Sequence, residues 1–329
     1  MLKPCGCFGR RLAIESGMFA KSNCANYKVA PESFRLDSGE IMNLKLANLA
    51  LGASMGLISF VGIAQAEDKF DIAIETALAS DGMRYGYTYT NHLPAVSISI
   101  TPSYGIYYGS LYAERVNYGA ADPRWAEVKG AIGMTPVFGP LSIDFNLQRR
   151  DKPGSVNGAS ARWLPYVTAT YAFNDNFSTS LGAGYYAYDD ASLTKSYWEL
   201  FAAVDATPVA GLKFHGEASY DPQSNFSAVG VNSDYLELIA SATVSLPKNF
   251  EIYGKIGYEN YINQSLLPYT WYEAGINYNL NDHVTIGLKG HANNMDQVTC
   301  AGGQAWTDCS NAVFATLTLR GKASDLAAK

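Results

Sequence analysis

Polar and apolar residues alternate strictly along the segment 212-LKFHGEASYD-221. Successive side chains of a strand point to opposite faces, whereas a helix would mix the two classes around its surface. The alternation therefore predicts a β-strand with one apolar face and one ionisable face. The ionisable row consists of Lys213, His215, Glu217, Ser219 and Asp221.

The same alternation recurs along most of the chain after residue 67. The polar row of 212–221 is therefore part of a long wall and not an isolated active site. The 30 glycines and 23 tyrosines are typical of a β-rich protein with many turns. Further alternating segments are 141–149, 235–246, 250–259, 283–291 and 312–320.

Connection lengths distinguish a soluble sandwich from a membrane barrel, because short turns opposite long loops are typical of bacterial outer-membrane barrels. The short connections are predicted at 101–103, 136–140, 174–175, 208–211, 247–248 and 281–282. The long ones are predicted at 79–94, 115–123, 150–160, 190–195, 222–232, 262–268 and 293–310. The pattern predicts an all-β fold, a transmembrane antiparallel up-and-down β-barrel of about 14 strands, within a range of about 12 to 16.

Aromatic residues favour the barrel, because they gather near both kinds of connection, as two interfacial belts would require. Near the short turns lie Phe70, Phe173, Phe177, Phe250 and Tyr278. Toward the long loops lie Tyr112, Trp163, Tyr185, Trp198, Tyr220 and Tyr258.

The N-terminal region predicts export. Residues 42–66 combine Lys45, an apolar run and the small residues Ala64 and Ala66, which is the plan of a signal peptide cleaved after Ala66. A membrane-spanning anchor is the alternative. Residues 1–41 precede this good start codon and are interpreted as a mis-annotated upstream extension, so residues 67–329 form the predicted barrel domain.

The cysteines fall into two groups. Cys300 and Cys309 in the exported part predict a disulfide that closes a loop in an oxidising compartment, with metal binding as the alternative. Cys5, Cys7 and Cys24 lack a nearby fourth ligand, so no metal site and no cofactor are predicted.

Three stretches, 80-SDGMRYGYTYTNHLPAVSISI-100, 104-YGIYYGSLYAERVNYG-119 and 125-WAEVKGAIG-133, resemble the TorF-type porin family. The shared features are Ser-Asp followed by an Arg near a Gly, then Pro-Ala opening a strand, then a Tyr- and Gly-rich strand. Arg84 is followed by Tyr85 before Gly86, where the family pattern has Arg-Gly directly. The resemblance implies an outer-membrane channel and no catalytic residue.

Acidic residues outnumber basic residues on the inward rows, which predicts a narrow pore with a modest preference for cations. Counted from the short turns, Glu199, Glu237, Glu259 and Glu273 form an acidic arc near the outer mouth. Lys213, Lys255 and Lys289 are predicted to lie lower, too far to neutralise the arc.

The predicted function is passive diffusion of small polar solutes or ions across the outer membrane of a Gram-negative bacterium, with the membrane lipid as the surrounding partner. A structural or adhesive barrel closed by its loops is the alternative. A lipid enzyme is disfavoured, because His215 and Ser219 lie about 13 Å apart along a strand. Nucleic acid is not expected as a partner, because the net charge of −6 argues against a phosphate-binding surface.

Overall fold

The computed structural model describes residues 69–117, 124–154, 161–189, 195–226, 231–262, 268–295 and 309–327. The upstream extension (1–41) and the signal peptide (42–66) lie outside these ranges, so both stay predictions. Cys300 also lies outside them, and its disulfide with Cys309 stays a prediction. Within these ranges, no helix has the length and apolar character needed to cross a bilayer.

The alternating segments form strands, and a short helix follows the last of them. The strands are β1 (Phe70–Ala79), β2 (Met83–Arg84), β3 (Tyr87–Thr88), β4 (Ala95–Tyr104), β5 (Tyr107–Arg115), β6 (Ala126–Met134), β7 (Val137–Phe138), β8 (Leu141–Asp151), β9 (Arg162–Asn174), β10 (Phe177–Tyr188), β11 (Tyr197–Val209), β12 (Leu212–Phe226), β13 (Val231–Ser245), β14 (Phe250–Ile262), β15 (Tyr269–Asn281), β16 (Val284–Asn293) and β17 (Ala312–Lys322). The helix is α1 (Ala323–Ala327).

Fourteen of these strands form a closed antiparallel barrel, so the predicted fold and strand number are confirmed. The first strand, β1, pairs with both β4 and β17, and β6 pairs with β8, so the ring has no free edge. The three short strands are not part of the ring: β2 pairs with β3, and β7 pairs with β8.

The first short connection lies farther along the chain than the sequence predicts. Residues 101–103 belong to β4, and the turn consists of Gly105 and Ile106. Gly105 has φ +55°, a conformation that glycine adopts without steric cost. Pro102 opposes Ile72 of β1 and is skipped in the pairing between β4 and β5, so its missing N–H breaks no ladder bond there.

The apolar rows face outward, and the polar rows face the lumen. Ile132, Leu181 and Val313 are 67%, 66% and 73% exposed, whereas the polar residues Glu127 and Glu259 are 0% and 3% exposed. A water-soluble sandwich would bury its apolar row instead. The exposed apolar exterior is the arrangement expected of a barrel surrounded by lipid.

Exposed aromatic side chains lie near both ends of the strands, as predicted. Phe173 lies at the short-turn end of β9, and Trp163 lies at its other end. The prediction that Tyr112 belongs to the outer belt is wrong, because its hydroxyl points inward and donates to Glu114 Oε2 at 2.9 Å. Its neighbour Leu111 takes the outward position and is exposed.

Candidate pore lumen

The four predicted acidic residues lie on the inward rows of β11, β13, β14 and β15. Glu199 is flanked by the exposed side chains of Trp198 and Leu200, so it points inward. Glu237 and Glu259 are both buried and face each other directly across the β13–β14 pair. The register therefore places two carboxylates side by side in the lumen wall.

Glu273 differs from the other three acids, because bases reach it. Lys289 Nζ lies 3.9 Å from Glu273 Oε1, and Lys255 is its direct partner in the β14–β15 register. The Tyr253 hydroxyl donates to the same carboxylate at 2.7 Å. Contrary to the sequence expectation, two bases lie at the level of this acid, so Glu273 adds less negative potential than the others. The third predicted base, Lys213, lies on the inward row of β12, at the start of the strand and next to the short turn that precedes it.

Residues 80–94, which connect β1 to β4, fold into the lumen and are called the internal segment. On one side, Arg84 forms an ion pair and hydrogen bond with Glu114 of β5. On the other side, the Gly86 carbonyl accepts a hydrogen bond from Asn293 Nδ2 of β16. The internal segment therefore contacts walls formed by distant strands and narrows the passage.

The tip of the internal segment is a two-residue hairpin turn. Arg84 pairs with Tyr87, and the two residues between them, Tyr85 and Gly86, have φ +50° and φ +90°. Positive φ at both central residues gives the type I′ turn, whose twist matches that of the flanking strands. A Cβ on Gly86 would lie 3.1 Å from the Cβ of Trp271, so the turn fits closely against β15.

The base of the internal segment is organised by the buried carboxylate of Asp81. Its Oδ1 accepts hydrogen bonds from the hydroxyls of Thr88 at 2.7 Å and Thr90 at 3.0 Å. Its Oδ2 lies 2.7 Å from Nδ1 of His92. These contacts tie both ends of the segment together, so the hairpin is held as a compact unit.

Four basic side chains surround the buried Glu127 carboxylate. These four bases, Glu127 and the nearby Glu114 are together called the basic cluster. Because four bases meet two acids, this side of the lumen carries net positive charge. Burial, opposed by the nearby Glu127, lowers the pKa of Lys152, in the loop after β8, to about 7. The bases are Lys129 at 2.9 Å, Lys152 at 3.5 Å, Arg84 at 3.8 Å and Arg150 in direct contact.

Carboxylates and tyrosines dominate the part of the lumen wall formed by β11 to β14. This part is called the acidic wall, and its carboxylates are Glu199, Asp221, Glu237 and Glu259. Glu259 accepts hydrogen bonds from the Tyr269 hydroxyl at 2.5 Å and from Trp271 Nε1 at 3.2 Å. The lumen is therefore asymmetric: the basic cluster lies at β5, β6, β8 and the adjoining internal segment and loop, and the acidic wall lies on β11 to β14.

Sequence reasoning missed three groups that shape this lumen. Arg84 and Lys152 lie in segments predicted as loops, and Glu114 lies next to a predicted loop, so none was assigned to the wall. For Glu114 a signal was present, because it shares the inward row of β5 with Tyr112. For the other two the sequence carries no local signal, since the position of Arg84 depends on its contact with Glu114 and that of Lys152 on its contact with Glu127.

His215 is held by two carboxylates. Its Nδ1 lies 2.9 Å from Asp205 Oδ1, and its Nε2 lies 3.3 Å from Glu217 Oε2. Both ring nitrogens are thus engaged without Ser219. The prediction that the protein is not an enzyme stays a prediction.

Comparison with known proteins gives similarity at the level of solved structures alone. No family model matches the sequence, and no curated protein matches it. A porin refined at 1.8 Å resolution is 10% identical with a TM-score of 0.46, and the match covers 77% of this chain and 99% of that one. The CymD monoaromatic hydrocarbon channel is 10% identical, with a TM-score of 0.42 and coverages of 78% and 89%.

OprB from Pseudomonas putida is 9% identical, with a TM-score of 0.43 and coverages of 77% and 94%. At these values the barrel assignment rests on the strand pairing of this chain itself. The resemblance to the TorF-type porin family stays a prediction.

Proposed function

We propose that the protein is a porin-like channel of the bacterial outer membrane, through which small polar solutes or ions diffuse passively. The closed barrel with an apolar exterior and a polar lumen carries this proposal. Such an exterior is stable in lipid, and such a lumen is stable in water. A chain with both surfaces therefore suits a water-filled passage through a membrane.

The dimensions favour a narrow passage. Barrels of about eight strands are filled by side chains, whereas those of about sixteen to eighteen leave an open aqueous channel. Fourteen strands lie between these cases, and the internal segment takes up part of the space. We therefore propose small solutes, on the scale of inorganic ions and short polar molecules.

A modest cation preference follows from the charges along the passage. Glu199, Glu237 and Glu259 face the lumen without a base in direct ion-pair contact among the described residues. The basic cluster is partly neutralised by the two carboxylates buried within it. Surface charges lose influence beyond about 8 Å at physiological salt, so the preference should fade as salt rises.

Recordings from single channels in planar bilayers test the proposal. We expect discrete conductance steps and a reversal potential in a KCl gradient that indicates cation preference. Changing Glu199, Glu237, Glu259 and Glu273 together to Gln should reduce that preference. Anion preference in the wild type, or an unchanged reversal potential in the quadruple variant, would refute the acidic arc.

A structural or adhesive barrel with a closed lumen is the second candidate, favoured by the internal segment. This segment reaches across the lumen from β5 to β16. If it also fills the rest of the lumen cross-section, the passage is blocked. This candidate predicts that the wild type passes no current and that a variant with a loosened internal segment does. That result would support the closed barrel over the open channel.

A further inference from the structure

The acidic wall contains buried oxygen atoms that lack hydrogen-bond partners. Asp221 is 7% exposed and Glu237 is 9% exposed, yet Asp221 Oδ1 and Glu237 Oε1 have no partner among the described residues. Buried polar atoms in folded proteins are nearly always satisfied by protein groups or by ordered water. Each of these two atoms is therefore an acceptor that a donor in the lumen can reach.

Like charges lie side by side in this wall. Glu237 directly opposes Glu259, and Glu199 comes next to the Leu200–Tyr220 pair, which sets it opposite Asp221. Directly opposed like charges destabilise an antiparallel pair. A bound cation would remove this repulsion and supply the missing donors at once.

The neighbouring bases are engaged on aromatic rings. The Arg162 guanidinium lies 4.8 Å from the ring centre of Tyr186, and its Nη1 donates to the Tyr188 hydroxyl at 2.6 Å. Lys255 Nζ lies 5.1 Å from the ring centre of Trp271. The two ring contacts show that aromatic rings on β10 and β15, the strands that flank this wall, accept cations on their faces, while the carboxylate oxygens of the wall remain available.

Aromatic rings border the carboxylates on both sides. Tyr235 and Tyr261 have ring centres 4.8 Å apart beside the Glu237–Glu259 pair. Tyr186 and Tyr197 are stacked at 4.6 Å on the β10–β11 side of Glu199. Ring faces attract cations that have shed water, and a hydrocarbon body packs favourably against the same rings.

We infer that the acidic wall binds a primary alkylammonium ion, which deepens the proposed function by naming a class of solute and rests on that function. An ammonium head has three N–H donors and can bind Asp221 Oδ1 and Glu237 Oε1 together, because the two residues lie diagonally across the β12–β13 pair. Its alkyl chain packs against the tyrosine rings. An inorganic metal ion fits less well, because no group of three or more His, Cys, Asp or Glu in the described ranges is arranged to hold one.

Calorimetric titration of the purified full-length protein in detergent with n-butylammonium chloride tests the inference. We expect saturable binding that KCl weakens by competition and that 1-butanol, which has the same chain without the charge, does not reproduce. Asp221→Asn and Glu237→Gln should each raise the Kd for butylammonium about tenfold or more, since each removes a charged acceptor.

Glu251→Gln is the matched control. Glu251 lies on β14, the strand of Glu259, and its Oε1 accepts a hydrogen bond from Asn277 instead of contributing to the acidic wall. The control should bind butylammonium like the wild type. Circular dichroism and thermal unfolding identify any variant that fails to fold, and the other variant then carries the test.

Several outcomes overturn the inference: no saturable binding by the wild type, equal Kd values in all four proteins, or equal binding of 1-butanol. Because the titration needs no current, its result is separate from the channel test. Binding without conductance refutes the channel and leaves the site, whereas conductance without saturable binding refutes the site alone.

Discussion

Replacing Arg84 with Gln should release the internal segment from the lumen wall. The Arg84 side chain is 16% exposed, and the Glu114 side chain that it contacts is 0% exposed. Gln removes the positive charge, so the Glu114 carboxylate stays buried without its ion-pair partner. Breaking a buried pair by removing one partner costs about 3–5 kcal/mol. Because Arg84 lies in the segment and Glu114 in the wall, this loss should appear as easier local opening.

Amide hydrogen exchange measures that opening directly. The Tyr89 N–H donates to the Gly82 carbonyl at 2.8 Å, and the Asn117 N–H donates to the Tyr89 carbonyl at 2.8 Å. Each factor of ten in an equilibrium corresponds to about 1.4 kcal/mol, so exchange at Tyr89 should rise about 100-fold or more in R84Q. Amides in the middle of β14 should exchange as in the wild type.

The double variant R84Q/E114Q is the control for this reasoning. Removing both charges leaves no unpaired carboxylate, so part of the lost protection at Tyr89 should return. A coupling of about 1–3 kcal/mol between the two substitutions is expected for residues in direct contact. Unchanged exchange in R84Q, or a double variant whose loss equals the sum of the single losses, would refute the role of this pair in anchoring the segment.

Three further predictions concern the segment, the last long loop and the basic cluster. Gly86→Ala should displace the hairpin, because φ +90° and a Cβ contact of 3.1 Å both oppose a side chain there, and the single-channel conductance should increase; an unchanged conductance counts against the internal segment as a constriction. A Cys300–Cys309 disulfide should stabilise its loop by about 2–3 kcal/mol. Because this effect is local to the loop, reduction should leave the unfolding of the barrel nearly unchanged; labelling of both thiols in unreduced protein would contradict the bond. Burial lowers the pKa of Lys152 to about 7, so raising the pH from about 6 to about 8 should remove a positive charge and increase cation preference. Reversal potentials measure this change, which should be smaller in Lys152→Gln; an equal pH response in that variant would assign it to another group.

The barrel was predictable because its information is local. A period of two places each apolar row on one face, and a slip of one residue would move the whole row to the other face, so the pattern fixes which residues of a strand face the lumen. The rule places Glu237 and Glu259 on the lumen side, whereas their direct pairing depends on the register of β13 against β14. Tyr112 also obeys this rule, because it shares the inward row of β5 with Glu114; its assignment to the outer belt rested on its nearness to a long loop.

The internal segment was not predictable from the same pattern. Its position depends on partners far away in sequence, such as Glu114 for Arg84 and Asn293 for Gly86. Tyrosine, glycine and threonine in 80–94 suit an exposed loop as well as a packed hairpin, so the composition of the segment does not distinguish between these two structures. The prediction that the bases lie lower than the acids was wrong at Glu273 for a related reason: the stagger between neighbouring strands brings Lys289 to the same height as Glu273.

Site-directed spin labelling along β14 in lipid vesicles tests the central claim, that the apolar rows face lipid and the polar rows line a watery lumen. Single cysteines at positions 251–256, in a cysteine-free background, would carry the nitroxide. Labels at Ile252, Gly254 and Ile256 should be accessible to oxygen dissolved in lipid, and those at Tyr253 and Lys255 should be accessible to a water-soluble nickel complex. Equal accessibility along the strand, or nickel access at Ile252 and Ile256, would contradict it.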